Sequence, residues 1–142
     1  MKVDMARTKE LIDLASPLTF TFHRAFDWTP DPIATAKKLA EIGVARILTS
    51  GQAISAIEGL PMLTKLKEMF TGTIIAAGGI NPENAAQFKA LAFEEIHLSA
   101  TAQEKTINTP KISLNSTKHF DETKQSVSSL IILQQLISQL NA

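Results

Sequence analysis

The feature that most constrains the fold of this chain is the alternation of short apolar runs with longer amphipathic segments. Four runs rich in β-branched and aromatic residues occupy residues 18–23, 46–50, 73–77 and 95–99, and each has the length and composition of a strand. The segments between them have room for one helix and two loops. A strand that is followed by a helix and a second strand forms a parallel pair, because the helix returns the chain to the starting edge of the sheet. The sequence therefore predicts an α/β fold with four parallel strands.

Helix boundaries are recognisable between the predicted strands. Asp31 and Pro32 fit the N-cap and the first position of a helix. A second helix is predicted over residues 60–70, a third begins at Asn81, and a further helix at residues 5–15 precedes the first strand.

The C-terminal part of the chain differs from the rest in its polarity and periodicity. Residues 101–120 are polar and lack periodicity, which predicts a long loop. A terminal helix is predicted from Asp121 onward, with an apolar face formed by Val127, Leu130, Ile131, Leu133, Gln134 and Ile137. No clean boundary divides the chain, so residues 1–142 are predicted to form a single, partial domain.

Four strand–helix units are half the number in a (β/α)8 barrel. A complete doubly wound sheet would carry a glycine-rich turn after its first strand, whereas residues 23–27 read His-Arg-Ala-Phe-Asp. We therefore predict a TIM (β/α)8 barrel type of fold, present as a four-unit half barrel with parallel strands and a C-terminal helix. A half barrel has open strand edges, so we expect a homo-oligomer or association with a separate N-terminal half.

Composition and charge exclude several classes of protein. Lys and Arg number 14 and balance 14 Asp and Glu, so there is no basic footprint for nucleic acid. No apolar stretch approaches the ~18 residues needed to span a membrane, and the charged start does not resemble a signal peptide; a cytoplasmic location is expected. The absence of cysteine excludes disulfides, thiolate metal sites and cysteine nucleophiles.

Polar residues and glycines gather where the predicted strands end. Since the carboxyl ends of parallel strands form one rim, which holds the active site in (β/α)8 barrels, these residues predict a binding pocket for a small molecule or a metal ion. All four strand ends carry such residues: His23, Arg24 and Asp27 follow the first, Ser50 and Gly51 the second and Gly78 and Gly79 the third, and His97 and Ser99 belong to the fourth.

The cluster after the first strand has two interpretations. In the functional one, His23 is a ligand or proton shuttle, Arg24 holds an anion and Asp27 orients its neighbours. In the structural one, which we favour, a buried ion pair closes the strand end and Asp27 caps a turn. No Ser-His-Asp order and no paired catalytic carboxylates stand out, so catalytic residues are not assigned.

Two further features of the rim suggest ligands. The Gly78-Gly79 turn before Asn81 could present backbone N–H groups and a helix start to phosphate, although it is equally a tight turn with no basic residue nearby in sequence. His23 and His97 are candidate metal ligands, with Asp27 as a third, although the two histidines come from strands that are not neighbours.

Four strings of residues resemble the CutC family of copper-homeostasis proteins. They are Thr-Phe-Thr-Phe-His-Arg-Ala-Phe-Asp at 19–27, Arg-Ile-Leu-Thr-Ser-Gly-Gln at 46–52, Ala-Ala-Gly-Gly-Ile at 76–80 and Glu-Ile-His-Leu-Ser-Ala at 95–100. Glu-Gly-Leu-Pro at 58–61 and Asn-Pro-Glu-Asn at 81–84 join them. The resemblance implies a single (β/α)8 barrel of which this chain is the C-terminal half, and a role in intracellular copper handling with copper as the suspected ligand. It does not imply a catalytic activity.

Three hypotheses follow. The first is a cytosolic copper-homeostasis protein of CutC type, truncated relative to the family. The second is a TIM-barrel enzyme or binder for a small phosphorylated or carboxylated metabolite, and the third is an inactive remnant of a shortened reading frame.

Overall fold

The computed structural model describes residues 2–105, 112, 121 and 123–141. The chain divides into two compact units, Met1–Leu98 and Ser99–Ala142, and each is described by itself. The single partial domain over residues 1–142 stays a prediction.

The first unit alternates strands and helices in the predicted order. Its elements are α1 (Met5–Ala15), β1 (Thr21–Phe22), a 3₁₀ helix (Arg24–Trp28), α2 (Pro32–Glu41), β2 (Arg46–Thr49), α3 (Leu60–Met69), β3 (Thr73–Ala77), α4 (Ala85–Ala90) and β4 (Glu95–His97). The strands form one sheet in the order β1-β2-β3-β4, and every pair is parallel. The prediction of an α/β fold with four parallel strands is confirmed, although β1 is shorter than the run that predicted it. That the sheet is half of a (β/α)8 barrel stays a prediction.

The register of the sheet separates a buried face from a mixed one. Ile47 pairs with Ile74, and both side chains are buried, together with helix residues such as Leu63 and Phe88. On the opposite face, Leu48 pairs with Ile75 and Ala77 pairs with His97. Because side chains alternate along a strand, His97 lies on the opposite side of β4 from Ile96.

An ion pair crosses the mixed face of the sheet. Arg46 at the start of β2 donates from Nη2 to Oε1 of Glu95 at the start of β4, at 2.6 Å. The two strands flank β3, so the pair links the outer strand β4 to the middle of the sheet. Both side chains are about one-third exposed, which limits the contribution to stability to roughly 1 kcal/mol.

Local signals explain where helices begin. The Asp31 carboxylate accepts a hydrogen bond from the N–H of Ala34 at 2.9 Å, and Pro32 occupies the first helical position, so the predicted start of α2 is confirmed. The predicted start of the third helix at Asn81 is wrong, because α4 begins at Ala85. The side chain of Asn81 accepts the N–H of Glu83. This local bond stabilises a turn in competition with the helix.

The second unit contains two antiparallel strands, β5 (Thr101–Lys105) and β6 (Lys124–Ser128), and the helix α5 (Leu130–Asn141). The C-terminal helix is confirmed, but its predicted start at Asp121 is wrong because residues 124–128 form a strand. The loop prediction is wrong for Thr101–Lys105, and residues 106–111 and 113–120 of that loop lie outside the described residues. Backbone pairing does not require apolar side chains, and Gln103 donates across the ladder to Ser126 at 2.5 Å.

The predicted apolar face of α5 also differs from the observed one. Leu130, Ile131 and Ile137 are exposed, whereas Leu136 is buried. Among the helices of the described residues, none combines the length and the apolar character needed to cross a membrane.

Candidate functional site

The 3₁₀ helix after β1 carries the centre of the site. His23 precedes it, and its Nδ1 accepts a hydrogen bond from the N–H of Ala25 at 3.1 Å. Phe26 is completely buried and anchors the turn in the core. The neighbouring Asp27 then reaches the carboxyl end of β2, where it bonds to residues that are more than 20 positions away in the chain.

The Asp27 carboxylate is saturated with hydrogen bonds. It accepts from the Thr49 hydroxyl, from the N–H groups of Ser50 and Gln52 at 3.2 Å, and from Nε of Arg24 at 2.8 Å. Its side chain is only 5% exposed. Such donors compensate the charge of a buried carboxylate. Through these hydrogen bonds Asp27 links the 3₁₀ helix to the end of β2 and stabilises both.

The same contacts determine the protonation of Asp27. Burial alone would raise its pKa, but the hydrogen bonds from Thr49, Arg24, Ser50 and Gln52 outweigh burial and hold the pKa below its ordinary value. Asp27 is therefore ionised at neutral pH. A general acid or base works best with a pKa near the working pH, so we assign Asp27 the positioning role rather than a catalytic one.

Arg24 is held at two points and remains half exposed. Its Nε donates to Asp27, and its Nη2 donates to the Ser50 hydroxyl at 2.7 Å, while 45% of the side chain is exposed. The Ser50 hydroxyl also lies 2.7 Å from the carbonyl oxygen of Ala53, to which it donates. Ser50 therefore positions Arg24. The ion pair that the structural interpretation predicted is present, although it is buried only on the Asp27 side, and it fixes a guanidinium group at the rim.

The end of β3 approaches this cluster through Gly78. A Cβ atom at Gly78 would lie 3.3 Å from Cβ of Ser50 and 3.4 Å from Nη1 of Arg24, and its φ of +113° favours glycine. Glycine therefore allows the third strand end to come close to the guanidinium group. Gly51, with φ +72°, turns the chain after Ser50, and its N–H donates to the Thr49 hydroxyl.

The glycine turn does not lead directly into a helix, as the predicted phosphate site assumed. Gly79 has a positive φ of +69°, but its carbonyl oxygen accepts from the side-chain amide of Asn84 at 2.9 Å. The helix that follows starts at Ala85 and has six residues, so no helix begins at Asn81. The anion-binding role predicted for that helix start is wrong, whereas the turn itself borders Arg24.

The structure does not bring the two predicted metal ligands together. His23 follows β1 and His97 ends β4, with β2 and β3 between them. Since neighbouring strands lie about 4.8 Å apart, the backbones of the two histidines are separated by roughly 14 Å. Within the described ranges, His, Cys, Asp and Glu side chains form no group of three that could hold a metal ion. Ser99 belongs to the second unit. His23, His97 and Asp27 therefore do not fit a copper centre, since Cu(I) also prefers thiolate or thioether ligands.

Three contributors to the site were missed by the sequence analysis. Thr49 and Gln52 bind Asp27, and the Gln52 side chain donates to the carbonyl oxygen of Thr29 at 2.5 Å. Trp28 is 75% exposed and lines a cavity of about 470 Å³ together with Arg24, Ala25 and Asp27. Its position directly after Asp27 in the sequence was a signal that it borders the same rim.

Comparison with known proteins supports the resemblance. The family model described as the CutC family matches residues 1–102. Three curated relatives carry the name family protein CutC. The one from Edwardsiella ictaluri (strain 93-146) is 42% identical over 99 residues, which cover 69% of this chain and 39% of the relative. The one from Citrobacter koseri (strain ATCC BAA-895 / CDC 4225-83 / SGSC4696) is 45% identical over 101 residues, covering 70% and 41%.

The third relative, from Proteus mirabilis (strain HI4320), is 42% identical over 124 residues, which cover 84% of this chain and 50% of the relative. The chain thus spans half or less of the length of these relatives.

Proposed function

Because the chain belongs to the CutC family, we propose that it takes part in copper homeostasis in the cytoplasm, and that its rim around Arg24 binds a small anionic ligand. Copper homeostasis is the role that the family implies. The anion site is the function that the geometry of the described residues supports best, and the orientation of Arg24 is the observation that carries it.

An arginine held in this way is suited to a phosphate or carboxylate group. Its guanidinium group is permanently charged and has five N–H donors in a fixed fork, of which the bonds to Asp27 and Ser50 use two. The charge of Asp27 does not repel a ligand strongly, because its side chain is almost fully buried and saturated. Asp27 therefore orients Arg24, while the donors around its own carboxylate compensate its charge.

Replacing Arg24 with alanine tests this site. We expect isothermal titration calorimetry with inorganic phosphate to show saturable binding that weakens at least tenfold in Arg24→Ala, about 1.4 kcal/mol. Arg24→Lys should lose part of the affinity, because lysine keeps the charge but not the fork.

Arg46→Ala is the matched control for this titration. Arg46 is also an ion-paired, partly exposed arginine, but it lies at the opposite end of β2, so its loss should leave phosphate affinity unchanged. Equal affinities in wild type and Arg24→Ala, or equal losses in both alanine variants, would contradict the proposal.

Direct copper binding is tested by the same calorimetry, with copper ions in place of phosphate and with His23→Ala and His97→Ala as the variants. We do not assign copper to a centre built from His23 and His97, which the strand order keeps apart. Stoichiometric copper binding that disappears in both His23→Ala and His97→Ala would overturn this assignment.

We also propose that the four-stranded sheet is half of a (β/α)8 barrel and that a second copy of the chain covers its edges. In the described part of the chain, β1 and β4 each pair with a single strand, and unpaired edges favour association. The purified chain of 15.4 kDa is therefore expected to have at least twice that mass in multi-angle light scattering. A monomer at micromolar concentrations would refute self-association.

A further inference from the structure

One edge of the Arg24 guanidinium group is occupied by the protein. Nε donates to Oδ2 of Asp27 at 2.8 Å, and Nη2 donates to Oγ of Ser50 at 2.7 Å. The planar fork of arginine points the N–H of Nε and one N–H of Nη2 in the same direction. Their two acceptors accordingly lie close together, with Oγ of Ser50 3.2 Å from Oδ2 of Asp27. Asp27 and Ser50 therefore share this inner edge of the fork.

The outer edge of Arg24 consists of the second N–H of Nη2 and an N–H of Nη1. Within the part of the chain that the structure describes, neither of them donates to a protein acceptor. The side chain is also half exposed, so a ligand can reach it from solvent. Two N–H groups that point the same way match two oxygens of a carboxylate or a phosphate, and such bidentate contacts are among the strongest that arginine makes. The outer edge is therefore the part of Arg24 that fits an anion.

Gly78 at the end of β3 provides space beside the outer edge. A Cβ atom at this position would lie 3.4 Å from Nη1 of Arg24 and 3.3 Å from Cβ of Ser50, so a side chain would fill the volume next to Nη1. The strand end is held there by the hydrogen bond from the N–H of Ala56 to the carbonyl oxygen of Gly78, at 2.8 Å. Because residue 78 is a glycine, the volume next to Nη1 is available to a ligand atom.

The backbone conformation of Gly78 does not by itself explain this space. Its φ of +113° favours glycine. The same holds for Gly43, with φ +93°, where a Cβ atom would meet only the side chain of Ile12 at 3.9 Å. Glycine at position 43 thus serves the backbone, whereas glycine at position 78 also keeps a charged group uncovered. The two glycines form a matched pair that separates backbone strain from access to Arg24.

We propose that the ligand of the rim is a small oxyanion bound through the outer edge of Arg24. Two oxygens on the same atom of the ligand accept from Nη1 and Nη2, and one of them lies in the space beside Cα of Gly78. Carboxylates and phosphates share this two-oxygen chemistry. The proposal rests on the anion-binding function of Arg24 and adds Gly78 as the residue that determines which groups fit.

Nuclear magnetic resonance of the wild-type protein tests this location directly. Titration with inorganic phosphate should shift the amide resonance of Gly78 saturably, with the dissociation constant that calorimetry gives, while the amide resonance of Gly43 stays constant. Formate, which presents two oxygens, should displace phosphate. Chloride at the same ionic strength should not displace it.

Gly78→Ala tests the space beside Nη1. We expect phosphate affinity to fall about tenfold, because the methyl group crowds the ligand and a charge-assisted hydrogen bond is lost. Gly43→Ala imposes a similar backbone strain and should retain the wild-type affinity. Circular dichroism verifies that both variants fold. If Gly78→Ala does not fold, the Gly78 resonance in the wild-type titration decides the proposal.

The outcomes separate this inference from the proposed function. Arg24-dependent phosphate binding that leaves the Gly78 amide unshifted, or that is unchanged in folded Gly78→Ala, would overturn the outer-edge site and uphold the anion site. Equal competition by chloride and formate would overturn the two-oxygen contact. Absence of phosphate binding in the wild type, or binding that does not weaken in Arg24→Ala, would refute the anion site and the outer-edge site together.

Discussion

Replacing Asp27 with alanine is expected to lower the free energy of unfolding by about 3 kcal/mol, because four donors lose the nearly buried carboxylate that accepts from all of them. These donors are the Thr49 hydroxyl, the N–H groups of Ser50 and Gln52, and Nε of Arg24. Chemical denaturation followed by circular dichroism measures the change.

Asp31→Ala provides the matched control for Asp27. The Asp31 carboxylate caps α2 at the surface through one hydrogen bond to Ala34, so its loss should cost only about 1 kcal/mol. Similar losses of unfolding free energy in the two variants would show that Asp27 does not link the 3₁₀ helix to β2 in the way proposed.

The contribution of Asp27 should also depend on pH. Its pKa is held below the ordinary value of 3.8 in the folded protein, so the folded state releases this proton more readily than the unfolded state does. The stabilisation is therefore complete above the unfolded pKa of about 3.9 and is lost as the pH falls through the lower folded value. The difference between wild type and Asp27→Ala should be constant between pH 6 and 8 and shrink below about pH 4.

Replacing Gly59 with alanine is expected to have a comparable effect, about 3 kcal/mol, for a steric reason. A Cβ atom at Gly59 would overlap the carbonyl oxygen of Ser50 and lie 2.8 Å from its carbonyl carbon and 3.2 Å from Cα of Gly51. The obstacle is backbone, so it cannot turn away as a side chain would. The segment that holds Arg24 and Asp27 must move, and phosphate affinity should fall together with stability.

Gly43→Ala is the control for Gly59. Gly43 ends α2 with a φ of +93°, and a Cβ there would meet only the side chain of Ile12 at 3.9 Å, so the cost should be the roughly 1–2 kcal/mol of a left-handed alanine. Phosphate affinity should be unchanged. Retention of full stability and phosphate affinity in Gly59→Ala would contradict the close packing of the β2 and α3 ends.

The elements of the first unit were predictable because their signals are local. The Asp31-Pro32 pair marked the start of α2, and the apolar run at residues 73–77 coincides with β3. At Asn81 a local side-chain hydrogen bond competes with the helix, and α4 therefore begins four residues later than predicted, at Ala85. The strand Lys124–Ser128 was missed because its polar residues carry little periodicity.

The candidate site was predictable only in part. Arg24 and Asp27 are three residues apart, and their ion pair was expected from sequence alone. The exposure of Trp28 was not, because it depends on which side of the 3₁₀ helix the core accepts, and Phe26 settles that by its burial.

By itself, the amino-acid sequence determined the succession of strands and helices, the direction of the strands and the family of this protein, since each rests on periodicity or on short strings of residues. Tertiary structure alone decided that Ser50 and Gly78 meet Arg24, and that His23 and His97 remain apart. The reason is physical: contacts between residues 26 or more positions apart depend on how the strands pair, which no local pattern encodes.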